Sequence, residues 1–379
     1  MLSRSASPDS VSSGNACART RERVAGDTST TPAVRHVSAS ALTAWAIACL
    51  TRVGVGASDA EAVARALVQT SLWGIDSHGI ARLGHYMARI QAGSVAAVPT
   101  LRITPTGPCT ATLDGGHGLG IVVCAAAMAH AIELARANGV GIVGIGESSH
   151  CGAIGLYTRQ AAAERLIGIA FTHADSIVAP FGGAQKLLGT NPLSIAFPNA
   201  DGSPICLDMA TSSIPWNRVM NARRDGHALP AGVAIDGDGV PTRSAGDAEA
   251  LLPLGGGEYG HKGYALALMI ELLCGPLNGM PYADRIAPMF ADLHAQRHLG
   301  SLVMALDPMR FAGGPTLAAT VRDLIATLRR QPGDVQYPGE PEERRAAVRA
   351  REGIPIEPGL WAEFDDWSTR LGVQLPETP

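Results

Sequence analysis

His78, Arg82 and Tyr86 follow one another at a spacing of four residues in the stretch Trp-Gly-Ile-Asp-Ser-His-Gly-Ile-Ala-Arg-Leu-Gly-His-Tyr that begins at Trp73. Residues four apart on a helix stand above each other, so the spacing predicts one face carrying an imidazole, a guanidinium and a phenol. An imidazole carries protons near neutral pH, a guanidinium grips a carboxylate with paired hydrogen bonds, and a phenol donates or accepts. Together they suit a small substrate that holds a carboxylate and gains or loses a proton. Spacing alone leaves a solvated polar helix face equally open.

A second group is anchored differently. Ile142-Val143-Gly144-Ile145 reads as a buried strand, and Gly146-Glu147-Ser148-Ser149-His150-Cys151-Gly152-Ala153 follows it directly. His150 therefore falls in a small-residue loop between that strand and a helix expected over Ile154 to Arg165. Strand ends are where α/β proteins place reactive groups. A lone loop histidine is more often solvated, and this one gains weight only from the first cluster. Cys151 beside it offers a thiol, but neighbours in sequence seldom meet side chain to side chain, so acid–base chemistry is favoured over a Cys-His nucleophile.

The elements that must position these groups divide the chain by texture. Residues 1–35 are rich in Ser, Thr, Ala and Arg and are expected to be a disordered extension, with structure beginning near Ser38. Helices are expected from Ser40, capped by that serine, and from Ser58, with an acidic first turn. From Leu101 strand-like runs appear at Thr110 to Leu113, Val140 to Ile145, Ile167 to Thr172, Leu193 to Phe197 and Ile205 to Asp208, with a helix over Ile121 to Asn138. A helix over Tyr264 to Cys274, a strand at Leu302 to Leu306 and a helix over Thr316 to Arg330 follow. The expectation is an α/β cofactor-binding domain over 101–264 and a discontinuous helical domain made of 36–100 plus 265–379.

Composition removes several function classes. The 379 residues are 46% hydrophobic and 17% charged, enough for a real core, and the net charge of −4 argues against a nucleic-acid partner. No uninterrupted apolar run reaches the length of a membrane span, so no membrane partner is expected. Seven cysteines, an odd number with no CxxC pair, fit a reduced cytoplasmic chain with neither a disulfide framework nor a metal centre.

Glycine-rich stretches raise the question of a nucleotide. Gly139-Val-Gly-Ile-Val-Gly144 matches G-x-G-x-x-G by letter, but it has a helix before it and a strand after it, the reverse of a Rossmann loop, and is rejected. Gly116-His-Gly-Leu-Gly120 opens a helix and could hold an anion on its free N–H groups or be a plain turn. Gly189-Thr190-Asn191-Pro192 pins an extended turn that lets backbone amides approach a ligand. Gly255 to Gly263 is expected to be a loop delivering Lys262 to the start of an apolar helix, without the spacing of a nucleotide hydrolase.

In order, the pieces Gly74-Ile-Asp-Ser-His-Gly with Arg82 and Tyr86, Ser149-His-Cys-Gly-Ala, Val178-Ala-Pro-Phe-Gly-Gly, Leu188-Gly-Thr-Asn-Pro-Leu, Leu207-Asp-Met-Ala-Thr-Ser and His261-Lys-Gly-Tyr resemble the malate/L-lactate dehydrogenase-like family of NAD(P)-dependent oxidoreductases. The resemblance runs from about Val37 to Ile356. Within the family, Thr106-Gly-Pro-Cys, Met289-Phe-Ala-Asp-Leu-His-Ala and Tyr337-Pro-Gly-Glu are most similar to its ureidoglycolate-oxidising branch. It implies a non-Rossmann fold like that of the L-sulfolactate dehydrogenases, a mixed sheet wrapped by helices, in a homodimer or higher homo-oligomer with the site near the subunit interface.

Carried over residue by residue, the resemblance implies catalytic roles for His150 and His78 and substrate binding by Arg82 and Tyr86. It implies cofactor contacts, to NAD or NADP, at Asp208, Met209, Ala210 and Lys262, and places the Gly189, Thr190, Asn191 turn in the same region. His150 is the first choice for base, with His78 the alternative base or a polariser. The implied reaction is hydride transfer to or from a small 2-hydroxy or 2-oxo carboxylate, with cyclic imino acid reduction as the alternative. Two departures stand out: Trp216-Asn217-Arg218, where relatives commonly carry Gly-Lys, and a longer Glu258-Tyr259-Gly260-His261 segment.

Overall fold

The computed structural model describes residues 34–378. The expected extension 1–35 lies outside them apart from Val34 and Arg35, and Arg35 already opens a strand, ahead of the expected start at Ser38. The strands are β1 (Arg35–Val37), β2 (Arg102–Gly107), β3 (Thr110–Asp114), β4 (Val140–Ser148), β5 (Ile167–Thr172), β6 (Leu193–Phe197), β7 (Ile205–Met209), β8 (Ala234–Ile235), β9 (Ala250–Leu251), β10 (Leu299–Leu306) and β11 (Ile354–Ile356). The helices are α1 (Ala39–Arg52), α2 (Ala57–Leu72), α3 (Leu83–Gln91), α4 (Gly120–Asn138), α5 (Gly155–Ala163), α6 (Trp216–Asp225), α7 (Gly256–Cys274), α8 (Gly314–Arg329), α9 (Glu340–Glu352) and α10 (Pro358–Leu371).

Seven strands form a mixed, helix-covered sheet in the order β2-β3-β4-β10-β5-β6-β7, the non-Rossmann α/β class expected. Its single parallel pair, β3 with β4, needs a long crossover, and α4 supplies it. Ala127, Met128, Ala131 and Ala135 recur at helical spacing on α4 and are buried where the helix packs on β4 and β10. By length and composition α4 could cross a membrane, but that apolar face covers the sheet.

Residues 299–306 were expected within the helical domain; the structure corrects this. β10 is hydrogen-bonded to β4 on one side and β5 on the other, in the middle of the sheet. Its first five residues are all buried, the pattern of a strand covered on both faces. An apolar run announces burial, not the neighbouring strand.

A separate hydrophobic cluster joins the two ends of the described chain, with Leu42, Trp45, Leu67 and Met87 packing against Phe364 and Trp367. Trp45 Nε1 donates to Ser368 Oγ at 2.9 Å, and β1 pairs antiparallel with β11. The cap of α1 is Ser38, whose hydroxyl accepts the Ala41 N–H at 3.1 Å, rather than Ser40.

The Gly139 to Gly144 stretch is a packing device. Gly139 ends α4 in the left-handed conformation, φ 91°, and a Cβ at Gly141 would lie 2.0 Å from the Ala131 carbonyl oxygen. These glycines let β4 lie close under the helix it follows.

Candidate active site

The segment after Trp73 is not one helix. Asp76–His78 and Ile80–Arg82 are short 3-10 turns separated by Gly79, and α3 begins only at Leu83. A Cβ at Gly79 would stand 2.1 Å from Ser71 Oγ, which accepts the Ile80 N–H at 2.9 Å, so close contact with α2 breaks the helix. The expected single helical face is corrected, and the side chains meet by another route. Tyr86 OH lies 2.7 Å from His150 Nδ1, and the His78 ring stacks on the His150 ring with centroids 5.5 Å apart.

Each group is held from its backbone side. Arg82 Nε donates to the Ser77 carbonyl at 2.6 Å, leaving its terminal nitrogens with one long 3.5 Å contact to Asn217 Oδ1. The Arg82 guanidinium also sits 5.7 Å over the ring of Phe290, an exposed side chain. The His150 loop is pinned by Ser149 Oγ, which accepts the Gly120 N–H at 3.0 Å and donates to the Gly118 carbonyl at 2.9 Å. That bond and the Gly116 N–H on Asp114 occupy amides of the Gly116 to Gly120 turn. Cys151 is buried and its thiol makes no hydrogen bond to His150, so no Cys-His pairing forms among the described residues.

Electrostatics keep the imidazoles neutral. Burial, followed by the neighbouring His78, Arg82, Arg297 and His85, pushes His150 well below the usual histidine range. Burial and then Arg82 lower His78 to about 4. Burial raises the Tyr86 phenol, which stays protonated. Sequence reasoning missed Arg297, His85 and Phe290, and marked Asn217 only as a departure from the family pattern. Arg297 is buried and paired with Asp175, whose other oxygen accepts the Met289 N–H at 3.1 Å. Nothing in its spacing pointed to the site, whereas His85 stood three residues after Arg82 in plain view.

The far end of the His150 loop meets a second feature. The Gly155 N–H donates to Asp208 Oδ2 at 2.8 Å at the end of β7, and a Cβ on Gly155 would sit 2.8 Å from that oxygen. Burial raises the Asp208 carboxyl to about 6. A cavity of about 300 Å³ opens here, lined by Trp73, Gly155, Arg159, Asp208, Tyr337 and Pro338 among others. Arg159 lies 4.5 Å over the Trp73 ring and pairs with Glu343 at 2.5 Å. A carboxyl, a guanidinium and aromatic walls give this cavity groups that can hold a polar, partly aromatic ligand such as part of a dinucleotide.

The other residues expected at the cofactor are placed unevenly. Met209 and Ala210 follow Asp208, both half-buried. Asn191 is fully buried, its Nδ2 donating to the Ala267 carbonyl and Glu271 and its Oδ1 accepting the Ala174 N–H, so the side chain holds the turn. Gly189 admits no side chain, since its Cβ would lie 2.4 Å from the Ala174 carbonyl oxygen, and the Thr190 carbonyl accepts the Thr211 N–H at 2.8 Å. Lys262 lies within α7, which starts at Gly256 rather than Tyr264, and is exposed with its ammonium 5.9 Å from the Tyr259 ring. Among the described residues it has no hydrogen bond or ion pair to the His150 group.

A neutral imidazole bonded to a phenol, a guanidinium with free terminal nitrogens, and a cavity with a buried carboxyl at the far end of the same loop suit acid–base chemistry on a small carboxylate. Residues 37–365 match the malate/L-lactate dehydrogenase family, and the chain belongs to it. It is similar to the NAD(+) ureidoglycolate dehydrogenase of Escherichia coli K12, 38% identical over 81% of this chain and 88% of that one. It is 36% identical to the malate dehydrogenase of Pyrococcus abyssi over 88% and 94% of the two chains. The solved sulfolactate dehydrogenase of Methanocaldococcus jannaschii superposes with a TM-score of 0.84 at 33% identity, over 90% of this chain and 98% of that one. The chain is an NAD(P)-dependent dehydrogenase of the 2-hydroxy-acid type.

Proposed function

We propose that the chain interconverts a small 2-hydroxy carboxylate of the ureidoglycolate, malate or lactate type with its 2-oxo form, moving the hydroxyl proton through His150. The observation that carries this reading is the meeting of Tyr86, His78 and Arg82 around His150. NAD or NADP, when bound, accepts or returns the hydride at nicotinamide C4. Arg82 clamps the substrate carboxylate with its terminal nitrogens, Tyr86 orients His150, and His78 polarises the substrate oxygen. Asp208, with Met209, Ala210, Lys262 and the Gly189–Thr190–Asn191 turn, holds the cofactor, Asn191 by shaping the backbone.

The two protonation states of His150 correspond to the two directions. In the reducing direction His150 starts as the imidazolium, with Nδ1–H turned to Tyr86 OH, 2.7 Å away, and Nε2–H gives its proton to the carbonyl oxygen, leaving the neutral ring. With Nδ1 protonated and donating to the phenol oxygen, Nε2 is free to take the hydroxyl proton. A bound carboxylate places a negative charge among Arg82, Arg297 and His150, which raises the His150 pKa toward the operating range. The base is thus competent when substrate is in place.

Exposed apolar side chains on and after α7, Tyr259 at 55%, Met269 at 51% and Leu277 at 63%, support pairing of two copies, which light scattering of the purified chain would test. Free thiols at all six described cysteines support a cytoplasmic location. The deciding assay follows nicotinamide absorbance with ureidoglycolate, malate, lactate, sulfolactate and cyclic imino acids, with NAD and NADP in parallel. Turnover of a hydroxy acid at least tenfold above any imine is expected. Turnover of imines alone would replace this reading, since an imine has no hydroxyl proton for His150 to take.

A further inference from the structure

His117, Glu147 and His298 bring two imidazoles and a carboxylate together from the β3–α4 loop, the end of β4 and the approach to β10. Both rings turn Nδ1 to the same oxygen, Glu147 Oε2, at 3.3 Å for His117 and 2.6 Å for His298. The rings are nearly perpendicular, with centroids 5.1 Å apart, and one ligand atom from each residue lies within 4.8 Å of the other two. The side chains are 29%, 30% and 41% exposed, so an ion can reach them and water can complete its shell.

The backbone sets this arrangement. All three residues hold left-handed φ angles, 55°, 50° and 47°, a conformation that non-glycine residues adopt at a conformational cost and that clusters at functional sites. The His117 N–H donates to the Glu147 carbonyl at 2.8 Å, and the Gly115 N–H to the Gly146 carbonyl at 2.9 Å. Two of the three side chains are thereby fixed relative to each other through main chain.

We propose that His117, Glu147 and His298 form a binding site for a divalent transition-metal cation of the zinc class. Two imidazoles and one carboxylate match borderline cations better than magnesium or calcium, which take oxygen ligands. Ligands bound at about 2.0–2.2 Å in a tetrahedron stand about 3.4 Å apart. His117 and Glu147 are already at that separation, and His298, the most exposed of the three, has to withdraw by about 0.8 Å from its 2.6 Å hydrogen bond. Water takes the fourth position. The cation staples together the turn that holds Ser149, the strand end leading to His150 and the residue after Arg297. The site uses none of the groups given a role in the proposed reaction and stands independently of it.

The test is calorimetric titration of the untagged, chelator-treated full chain with zinc chloride, alongside thermal unfolding with and without zinc. One cation per chain and a zinc-dependent rise in Tm are expected. Removal of an outer partner at metal sites already costs 10- to 100-fold, so His298→Gln and His117→Gln should each weaken binding by about 100-fold or more and abolish the rise in Tm. Crystals of the zinc-loaded wild-type chain, measured on both sides of the zinc absorption edge, should place an anomalous peak bonded to His117, Glu147 and His298, whatever the behaviour of the variants. A peak on other residues, binding unchanged in both variants, absence of binding, or an equal response to magnesium would overturn the assignment.

Discussion

Glu147 and His150 lie three residues apart where β4 ends, yet each is drawn into a cluster of a different kind. Around His150 the partners are a phenol, a second imidazole and, close by, the guanidiniums of Arg82 and Arg297. Around Glu147 two imidazoles share one carboxylate oxygen in a half-exposed setting. Histidine is common to both; the neighbouring charge decides what it can do. Desolvation and cations make His150 hold a proton poorly until an anion arrives, a condition for a proton carrier. A carboxylate among half-exposed imidazoles makes an assembly that welcomes a cation instead.

The contrast breaks first at His150. His150→Ala should lower kcat by roughly 10²- to 10⁴-fold with near-normal cofactor binding, while His78→Ala, which removes a polarising group and leaves the base in place, should lower kcat by less. Steady-state kinetics with the opposite pattern would exchange the two roles. Arg82→Lys keeps the charge but loses the planar fork, and KM should rise about 10- to 100-fold, the worth of a charge-assisted hydrogen bond of about 1.5–3 kcal/mol. Wild-type kinetics in that variant would remove the clamp.

A pH profile sharpens the comparison without mutation. A base must be unprotonated, and His150 in the free protein is held well below its ordinary range, so kcat/KM should stay level as pH falls through that range. Once the carboxylate is bound the same group titrates higher, so the acid limb of kcat should lie at higher pH than that of kcat/KM. Coincident limbs would show that substrate leaves the base unaltered. The smallest effect is expected at Asn217→Gly. Its 3.5 Å contact with Arg82 is at the limit of a hydrogen bond, and KM should change by less than about threefold.

Legibility followed the range of the interactions involved. β5 and β6 match their apolar runs, Ile167–Thr172 and Leu193–Phe197, residue for residue, because period and punctuation are local. The spacing around His78 reads as a continuous helix because nothing local reveals that Ser71 Oγ fills the space a side chain at 79 would need. His298 and Glu147 are 151 positions apart, and Asp175 and Arg297 are 122, so no spacing rule could join them. The short paired strands β1 and β11 escaped for the same reason, since each is three residues long and finds its partner at the opposite end of the chain.

The position of β10 bears on how the protein is made. Its neighbours β4 and β5 precede it by well over a hundred residues, so during synthesis the sheet exists as two halves with unpaired edges facing a gap. Such edges are templates for pairing with other chains, and closure waits on a contact of large sequence separation. A ribosome-bound chain ending before Leu299 should therefore be prone to aggregate and reliant on holding factors. Emergence of Leu299–Leu306 becomes the event that seals the sheet.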